Sequence, residues 1–475
     1  MASKIKFGTD GWRAIIADDF TFDNVRICAQ SAADYMKSAG LANQGMVIGY
    51  DTRFASEHFA VAAAEVVAAN GIKVHLCKSA APTPVISYAI LNLKAGGGII
   101  ITASHNPGQW NGFKFKQGDA RSASPEVIVE LEKGIARIQA GAEIKQTKLE
   151  DAIAKGIVIR FDPAPAYIKH LSDMVDIEKI RRSGINIVVD SMYGAGAGYF
   201  HSILGGGKTK IVEIHKKRNP LFPGLQPEPI AHNLTEVSTK MKKGSFDVGL
   251  ATDGDADRIG IVDEKGVFIT TLQTYALLAL YLLEVRGQRG PIIKTITTTN
   301  MLFRLGEIYK VPVYETAVGF KYVAPLMLAK DAMMGGEESG GYGYRGHMPE
   351  RDGILSALFF LDFMIHKKKS PSQLIKYLYS KVGPHYYDRL DVDFPKEDRE
   401  SIMKHLTNSK PADIAGTVVR EIDRRDGFRF LLKDGSWLLI RFSGTEPIMR
   451  IYSESSSMEK VKRFLSEGKK LTGVK

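Results

Sequence analysis

Several short stretches of this chain gather side chains that can do chemistry. The first is Thr102-Ala103-Ser104-His105-Asn106-Pro107, which follows the apolar run Ile99-Ile100-Ile101. Such a run reads as a buried strand. Pro107 lacks a backbone donor and pushes Asn106 out of the helical region, so the segment is predicted to turn. Ser104 then sits at the carboxyl end of a strand, where open α/β sheets hold their ligands. His105 stands beside it, and ten residues on Lys114 offers a movable cation.

The strongest signal is Thr252-Asp253-Gly254-Asp255-Ala256-Asp257-Arg258, with three carboxylates alternating over five residues. Packed that closely they repel unless a cation intervenes. A hard divalent ion with oxygen ligands relieves the repulsion, and magnesium is the expected one. The spacing resembles an EF-hand calcium loop but lacks its closing Glu. Farther on, the Gly-rich run 335–341 offers Glu337, Glu338 and Ser339. Adjacent carboxylates are good acceptors for sugar hydroxyls. Arg441-Phe442-Ser443-Gly444-Thr445-Glu446-Pro447 joins a guanidinium, hydroxyls and flexible backbone into an anion cradle. Lys321, in Val318-Gly319-Phe320-Lys321, and Arg450 can add cations there. Near the start, Phe7-Gly8-Thr9-Asp10-Gly11-Trp12-Arg13 presents a guanidinium from a glycine-flanked turn, a form suited to phosphate. Each stretch alone is also an ordinary polar turn or surface charge. Together they suit a phosphorylated sugar held between separate segments.

The elements that must position these groups alternate. Helices are predicted over 23–39, 56–69 and 83–93, and strands over 46–50 and 72–77 before the Ser104 strand. Between about 117 and 160 the pattern weakens, which suggests a boundary. A second round follows, with helix 166–180, strand 185–189, helix 197–204, strand 210–214, helix 234–242 and strand 248–251 running into Asp253. A third has helix 272–285, strand 291–297, helix 300–309, strand 311–316 and helix 320–329, and reaches the Gly-rich loop. Strands alternating with helices of this length imply crossovers and largely parallel sheets, here as a threefold structural repeat. From about 380 the pattern changes: Asp426-Gly427 and Asp434-Gly435 separate strands such as 428–432 and 437–442, and a helix over 458–465 closes the chain. The expected class is α/β, with three related domains of mixed, mostly parallel sheets and a smaller C-terminal α+β domain around a central cleft. The divisions are drawn at 1–148, 149–264, 265–379 and 380–475.

At 475 residues the chain is too long for one core, and 44% hydrophobic with 25% charged residues is a globular composition. Its net charge of +11 raises anion or RNA binding. The basic clusters at 215–218 and 366–369 are short and carry no interleaved aromatics, so no nucleic-acid partner is expected. Two cysteines, Cys28 and Cys77, in no CxxC pair fit a reduced compartment. No signal peptide is visible, and the apolar run near 275–283 falls short of the ~20 residues of a membrane span. The expectation is a cytoplasmic monomer or homodimer.

Five motifs in series, FGTDGWR (7–13), TASHNP (102–107), DGDADR (253–258), GEESGG (336–341) and RFSGTEP (441–447), resemble the α-D-phosphohexomutase superfamily over essentially the whole chain. The resemblance implies that Ser104 is the serine phosphorylated in the resting enzyme. Asp253, Asp255 and Asp257 match its magnesium ligands, with an oxygen on Ser104 completing the set. Arg13, Lys114 and His105 match groups beside the transferred phosphoryl, Lys114 being a candidate acid/base. Glu337, Ser339, Gly319 and Arg258 match the sugar side. Lys321, Arg441, Ser443, Gly444, Thr445 and Arg450 match the grip on the other phosphate. The implied reaction interconverts hexose 1-phosphate and hexose 6-phosphate through a hexose 1,6-bisphosphate, which also serves as activator. The Glu337-Glu338 pair is similar to glucose-using members, with mannose tolerated; phosphoglucosamine mutase and phosphopentomutase are the neighbouring alternatives. Where some members carry a His, this chain has Gly341, which leaves Lys114, His347 or Arg351 for proton transfer. An aspartate-nucleophile phosphatase using Asp253 or Asp255, and a non-enzymatic anion-binding protein, are the alternatives of another class.

Overall fold

The computed structural model describes residues 5–474 except Thr9 and 443–447. Four sheets organise them. The first has the order Trp12–Ile15, Trp110–Gln117, Gly97–Ile101, Met46–Tyr50, Val74–Cys77, Val158–Phe161. Its last four strands run parallel, and its first two pair antiparallel. The second follows the order Phe268–Ile269, Ile259–Val262, Val248–Thr252, Asn186–Asp190, Lys210–Ile214, and the third Val313–Thr316, Ile292–Thr295, Met334–Gly336, Tyr342–Tyr344. Both are again parallel except at the edge that follows the last parallel strand. The fourth sheet is antiparallel throughout, with helices Arg399–Asn408 and Met458–Thr472. The expected α/β class, with three related units and a smaller α+β unit, is what the chain adopts.

One topological rule places the chemistry. In each of the first three units a buried strand ends in a loop and returns as its own antiparallel neighbour. The three loops are 102–109, 253–258 and 337–341. In the fourth unit Trp437–Phe442 likewise pairs antiparallel with the next strand, Ile448–Ser455. Gly97–Ile101 and Val248–Thr252 are buried at every residue, as strands covered by helices on both faces must be. The helices are capped locally. Thr270 and Gln273 form a reciprocal capping box on Thr271–Glu284, and the Asp352 carboxylate accepts the Leu355 amide at the start of Gly353–Lys367.

One apolar core runs through the first three units, whereas the fourth has its own around Phe430, Ile440, Ile451 and Phe464. A small cluster, Ile296 with Trp437, Leu439 and Tyr452, joins the third unit to the fourth. Three local expectations change. The weak region after 117 contains helix Pro125–Gln139, capped by Ser124, and strand Val158–Phe161, which pairs parallel with Val74–Cys77 and so extends the first sheet beyond residue 148. The helix expected over 166–180 is two, Ala164–Met174 and Ile177–Arg182, because the Asp176 side chain caps the second. The last helix runs on to Thr472. No helix among the described residues is long and apolar enough to cross a membrane.

Candidate active site

Ser104 is 2% exposed and has a left-handed φ of +53°. That backbone costs a non-glycine residue about 1–3 kcal/mol unless its surroundings impose it. Its amide donates to Thr102 Oγ1 at 2.9 Å, and the Thr102 hydroxyl donates to Asp51 Oδ2 at 2.6 Å. Its own hydroxyl donates to Asp253 Oδ2 at 2.9 Å. His105 Nδ1 lies 3.4 Å from the Ser104 hydroxyl oxygen. Burial, then Arg258 and Arg13, hold the His105 imidazole well below its usual range, so it is a neutral neighbour. Arg13 donates to Asn106 Oδ1 at 2.7 Å.

The acidic loop comes from the second unit and meets the serine loop closely. A Cβ on Gly254 would stand 2.3 Å from the Ser104 carbonyl oxygen, so only glycine permits the approach. Asp253, Asp255 and Asp257 are fully buried, and one oxygen of each lies within 4.8 Å of the others. Asp253 Oδ1 accepts the amides of Asp257 and Arg258 at 2.9 and 3.1 Å. Asp255 Oδ2 accepts Thr83 Oγ1 at 2.7 Å and Lys114 Nζ at 2.9 Å. Asp255 Oδ1 and both Asp257 oxygens accept no hydrogen bond. Burial and the neighbouring aspartates push Asp253 well above the usual carboxylate range, and burial raises Asp257 as well. Burial acts on Asp255 too, but Lys114 and Thr83 more than reverse it. Buried carboxylate oxygens that accept no hydrogen bond, in an all-oxygen set, fit a hard divalent cation, although Arg351 already stands 2.8 Å from Asp257 Oδ2.

Cations surround this pair of loops. Lys114 Nζ lies 2.7 Å from Asp10, 2.9 Å from Asp255 and 3.9 Å from Asp257. Burial favours its neutral form, but these carboxylates outweigh it and keep the ammonium charged. Lys114, the candidate acid/base, is held by these carboxylates beside the acidic loop. Arg258 stands 3.1 Å from Glu228 and borders the metal loop, 3.9 Å from Asp257 and 4.0 Å from Asp253. Arg351 reaches Asp257 at 2.8 Å, Asp10 at 3.1 Å and Glu337 at 3.5 Å. A Cβ on Gly341 would lie 2.4 Å from Arg351 Cδ. The place a side chain at 341 would take is filled by Arg351 from the opposite direction. His347 is turned away: it contacts Asp352 and His170, each at 2.9 Å, and stacks on the His170 ring at a junction of units. None of its described contacts is with Ser104 or with the three aspartates.

The sugar loop bridges to the fourth unit. Glu337 faces Arg351, and burial, offset in part by Arg351 and Arg258, raises its carboxyl. Ser339 is half-buried in the same loop. Glu338 instead accepts the Tyr387 hydroxyl at 2.7 Å, with Arg389 at 3.5 Å. Arg441 donates to Asp426 at 3.0 Å, and Asp426 accepts the amide of Val318 at 2.8 Å. This ties the fourth unit to the turn that carries Gly319, whose φ is +130°, and to Lys321 in the helix Phe320–Ala329. Arg450 sits opposite Arg441 in the strand register. Ser443, Gly444 and Thr445 lie outside the described residues. The sequence reading gave no role to Asp10, Thr83, Lys116 or Glu350. Asp10 stood in plain view between two glycines. Lys116 pairs with Glu350, a contact between residues 234 positions apart that no local pattern announces.

A four-unit α/β scaffold presenting a serine hydroxyl, three buried carboxylates and encircling guanidinium groups defines the architecture of a phosphosugar mutase. Family models bear on this directly. Phosphoglucomutase/phosphomannomutase domains I, II and III match residues 4–142, 165–266 and 272–382, and the C-terminal domain matches 397–468. A phosphoglucomutase/phosphomannomutase of Thermococcus kodakarensis is 33% identical over 470 residues, 98% of each chain. A protein named a probable phosphoglucosamine mutase, from Methanothermobacter thermautotrophicus, is 30% identical over 97% of this chain and 96% of its own. The crystal structure of a candidate phosphomannomutase from Thermus thermophilus superposes with a TM-score of 0.87 at 35% identity, covering 100% of both chains. The chain belongs to the phosphoglucomutase/phosphomannomutase family of the α-D-phosphohexomutase superfamily.

Proposed function

We propose that the chain interconverts hexose 1-phosphate and hexose 6-phosphate, with glucose preferred and mannose accepted, and that Ser104 carries the phosphoryl group. The observation that carries this reading is the Ser104 hydroxyl at 2.9 Å from Asp253, at the edge of three buried carboxylates. In the forward half-reaction the Ser104 Oγ–P bond breaks as a sugar O–P bond forms, and the sugar hydroxyl's proton ends on Ser104 Oγ. The resulting hexose 1,6-bisphosphate, which is also the expected activator, turns in the site. It returns its other phosphoryl group to Ser104. A magnesium ion would be held by Asp253, Asp255 and Asp257 and would supply positive charge for phosphoryl transfer. Arg13, Lys114 and Arg351 add fixed charge on the same side, with His105 as a neutral neighbour. Such positioning and charge supply most of the rate in phosphoryl transfer. Arg258 orders the acidic loop at its sugar-facing edge. Glu337, Ser339 and Gly319 receive the sugar. Arg441, Ser443, Gly444 and Thr445, with Lys321 and Arg450, hold the phosphate that is not reacting.

The geometry favours serine over aspartate as the carrier. Both Asp253 oxygens already accept hydrogen bonds, and Asp255 Oδ2 is engaged by Thr83 and Lys114, which leaves Asp255 Oδ1 as the one to test. Incubation with glucose 1,6-bisphosphate followed by acid treatment and mass spectrometry separates the two. Phosphate stable on the Ser104 peptide is expected, and acid-labile phosphate on an aspartate would replace the reading by that of a phosphatase. Ser104→Ala is expected to abolish turnover and leave the melting temperature within a few degrees. Assays with glucose, mannose, glucosamine and N-acetylglucosamine 1-phosphates test the sugar, because relatives carry both kinds of name. Faster turnover of glucosamine 1-phosphate would move the preference and leave Ser104 as the carrier.

A further inference from the structure

Beneath the serine loop lies a cation to which the mechanism assigns no part. Arg53 follows the strand Met46–Tyr50 and is fully buried. Its Nη2 donates to the carbonyl oxygens of Ser104 and Asn106, both at 2.6 Å. Its Nη1 donates to those of Pro107 and Trp110, at 2.8 and 3.0 Å. The inner edge of the guanidinium is anchored as well: Nε lies 3.2 Å from Asp51 Oδ2, and the Phe222 ring faces it at 5.0 Å. Asp51 Oδ2 also takes the Thr102 hydroxyl, whose oxygen accepts the Ser104 amide. One carboxylate thus links the guanidinium under the loop to the amide of the serine above it. The second unit clamps the arrangement from outside. Arg218 donates to the carbonyls of Thr52 and Arg53 at 2.9 and 3.0 Å and pairs with Glu57 at 2.8 Å.

Four carbonyl oxygens converging on one buried point repel one another. A planar guanidinium, with donors fixed in a fork, collects all four; an ammonium presents a single point of charge and three donors. No guanidinium nitrogen bonds the Ser104 hydroxyl, which is spoken for by Asp253. The influence of Arg53 therefore passes through the loop backbone.

We propose that Arg53 is a positioning residue for phosphoryl transfer: by gathering the carbonyls of Ser104, Asn106, Pro107 and Trp110, it imposes the left-handed serine turn and aims the hydroxyl at the aspartate cluster. This rests on Ser104 being the phosphoryl carrier. A residue that only fills the core lowers stability when altered and leaves the folded enzyme's chemistry alone. A residue that sets the turn lowers kcat with little change in KM, since displacement of a reacting group by ~1 Å can cost about 10²-fold.

Arg53→Lys keeps the charge and loses the fork. Thr102→Val breaks the link from Asp51 to the Ser104 amide and offers a second route should Arg53→Lys fail to fold. For each, kcat and KM, phosphate uptake at Ser104 from glucose 1,6-bisphosphate, and amide hydrogen exchange over residues 103–110 are measured beside wild type. Expected for Arg53→Lys are a kcat fall of about tenfold or more, KM within about twofold, slower serine phosphorylation and faster loop exchange; Thr102→Val shows the same pattern more weakly. Folded variants with wild-type kcat and unchanged loop exchange would overturn the role of Arg53 while leaving Ser104 in place. A wild-type protein that neither turns over nor takes phosphate on Ser104 would instead remove the reading on which the role stands.

Discussion

Ser104, the three aspartates, Lys114 and Arg351 are each at most 7% exposed, whereas the side chains of Arg441 and Arg450 are 20% and 31% exposed. The first set comes from three units that share one core. The second comes from a unit with a core of its own, joined to the third unit by a small apolar cluster and by ion pairs such as Glu315 with Arg429. Buried charges act strongly because little water screens them, and they demand partners for the same reason. Half-exposed cations act more weakly but adjust more easily. A mutase of the proposed kind needs both. The reacting end must hold one geometry for transfer, and the gripping end must accept a phosphate at either position of a sugar that turns round.

The largest effect should come from the acidic loop. Asp257→Asn is expected to cut kcat/KM by about 10²–10³-fold, the scale for losing a major charge-stabilising group. Activity alone would not distinguish a lost ligand from a damaged loop, so the melting temperature is followed against magnesium concentration. Wild type should gain stability as the ion binds, by ~2.7 kcal/mol at a hundred times its dissociation constant. The variant should show little of that gain, while without metal it should be no less stable than wild type, because burial already disfavours the Asp257 charge. An undiminished magnesium response would take Asp257 out of the ion site.

Arg351→Gln comes next, with an expected loss of about 10²-fold, chiefly in kcat. The arginine forms ion pairs with Asp257, Asp10 and Glu337, so its removal leaves several buried carboxylates underpaired. Gly341→Ala sharpens the test from the other direction. The added methyl group would stand 2.4 Å from Arg351 Cδ and must displace it. If the arginine's placement matters, the alanine variant should follow Arg351→Gln in kcat; if it retains wild-type rates, Arg351 is a structural ion-pair partner only.

The same contrast explains how much could be read from the sequence. The strands Met46–Tyr50 and Lys210–Ile214 and the helices Ser56–Ala69 and Phe320–Ala329 fall at their predicted bounds, because apolar runs there are cut off by glycine or by polar turns. Strand Val158–Phe161 was not legible. Only Val158 is buried, and what makes it a strand is pairing with Val74–Cys77 far earlier in the chain. The serine and aspartate loops announced themselves through residue types that are costly to place together without a purpose. Arg53 and Lys116 did not, because a buried cation looks like any surface cation until its distant partners, such as Ser104 for one and Glu350 for the other, are known. Nor did the division of the Glu337-Glu338 pair. Only coordinates separate the one that faces Arg351 from the one that bonds Tyr387.

At the gripping end, Arg441→Ala should lower kcat/KM by up to about 10²-fold, mostly through KM, because binding rather than bond-making is lost. The effect should shrink as salt rises, since a partly exposed cation is screened where a buried one is not. A loss confined to kcat would mean that Arg441 belongs with the buried set, and the contrast between the two ends would fail.

The smallest expected effect probes the joint between them. Tyr387→Phe removes the hydroxyl that donates to Glu338 at 2.7 Å and leaves the ring in place. A neutral donor to a carboxylate is worth about 1.5–3 kcal/mol when buried, and less here because Glu338 is partly exposed. If that bond serves only to dock the fourth unit, Tyr387→Phe and Glu338→Gln should each raise KM a few-fold, and the double variant should be little worse than either. If the two losses multiply instead, the residues act independently. The sugar loop would then sense the fourth unit through the Val318–Asp426–Arg441 contact, and Val318, Asp426 and Arg441 would form the joint to test in turn.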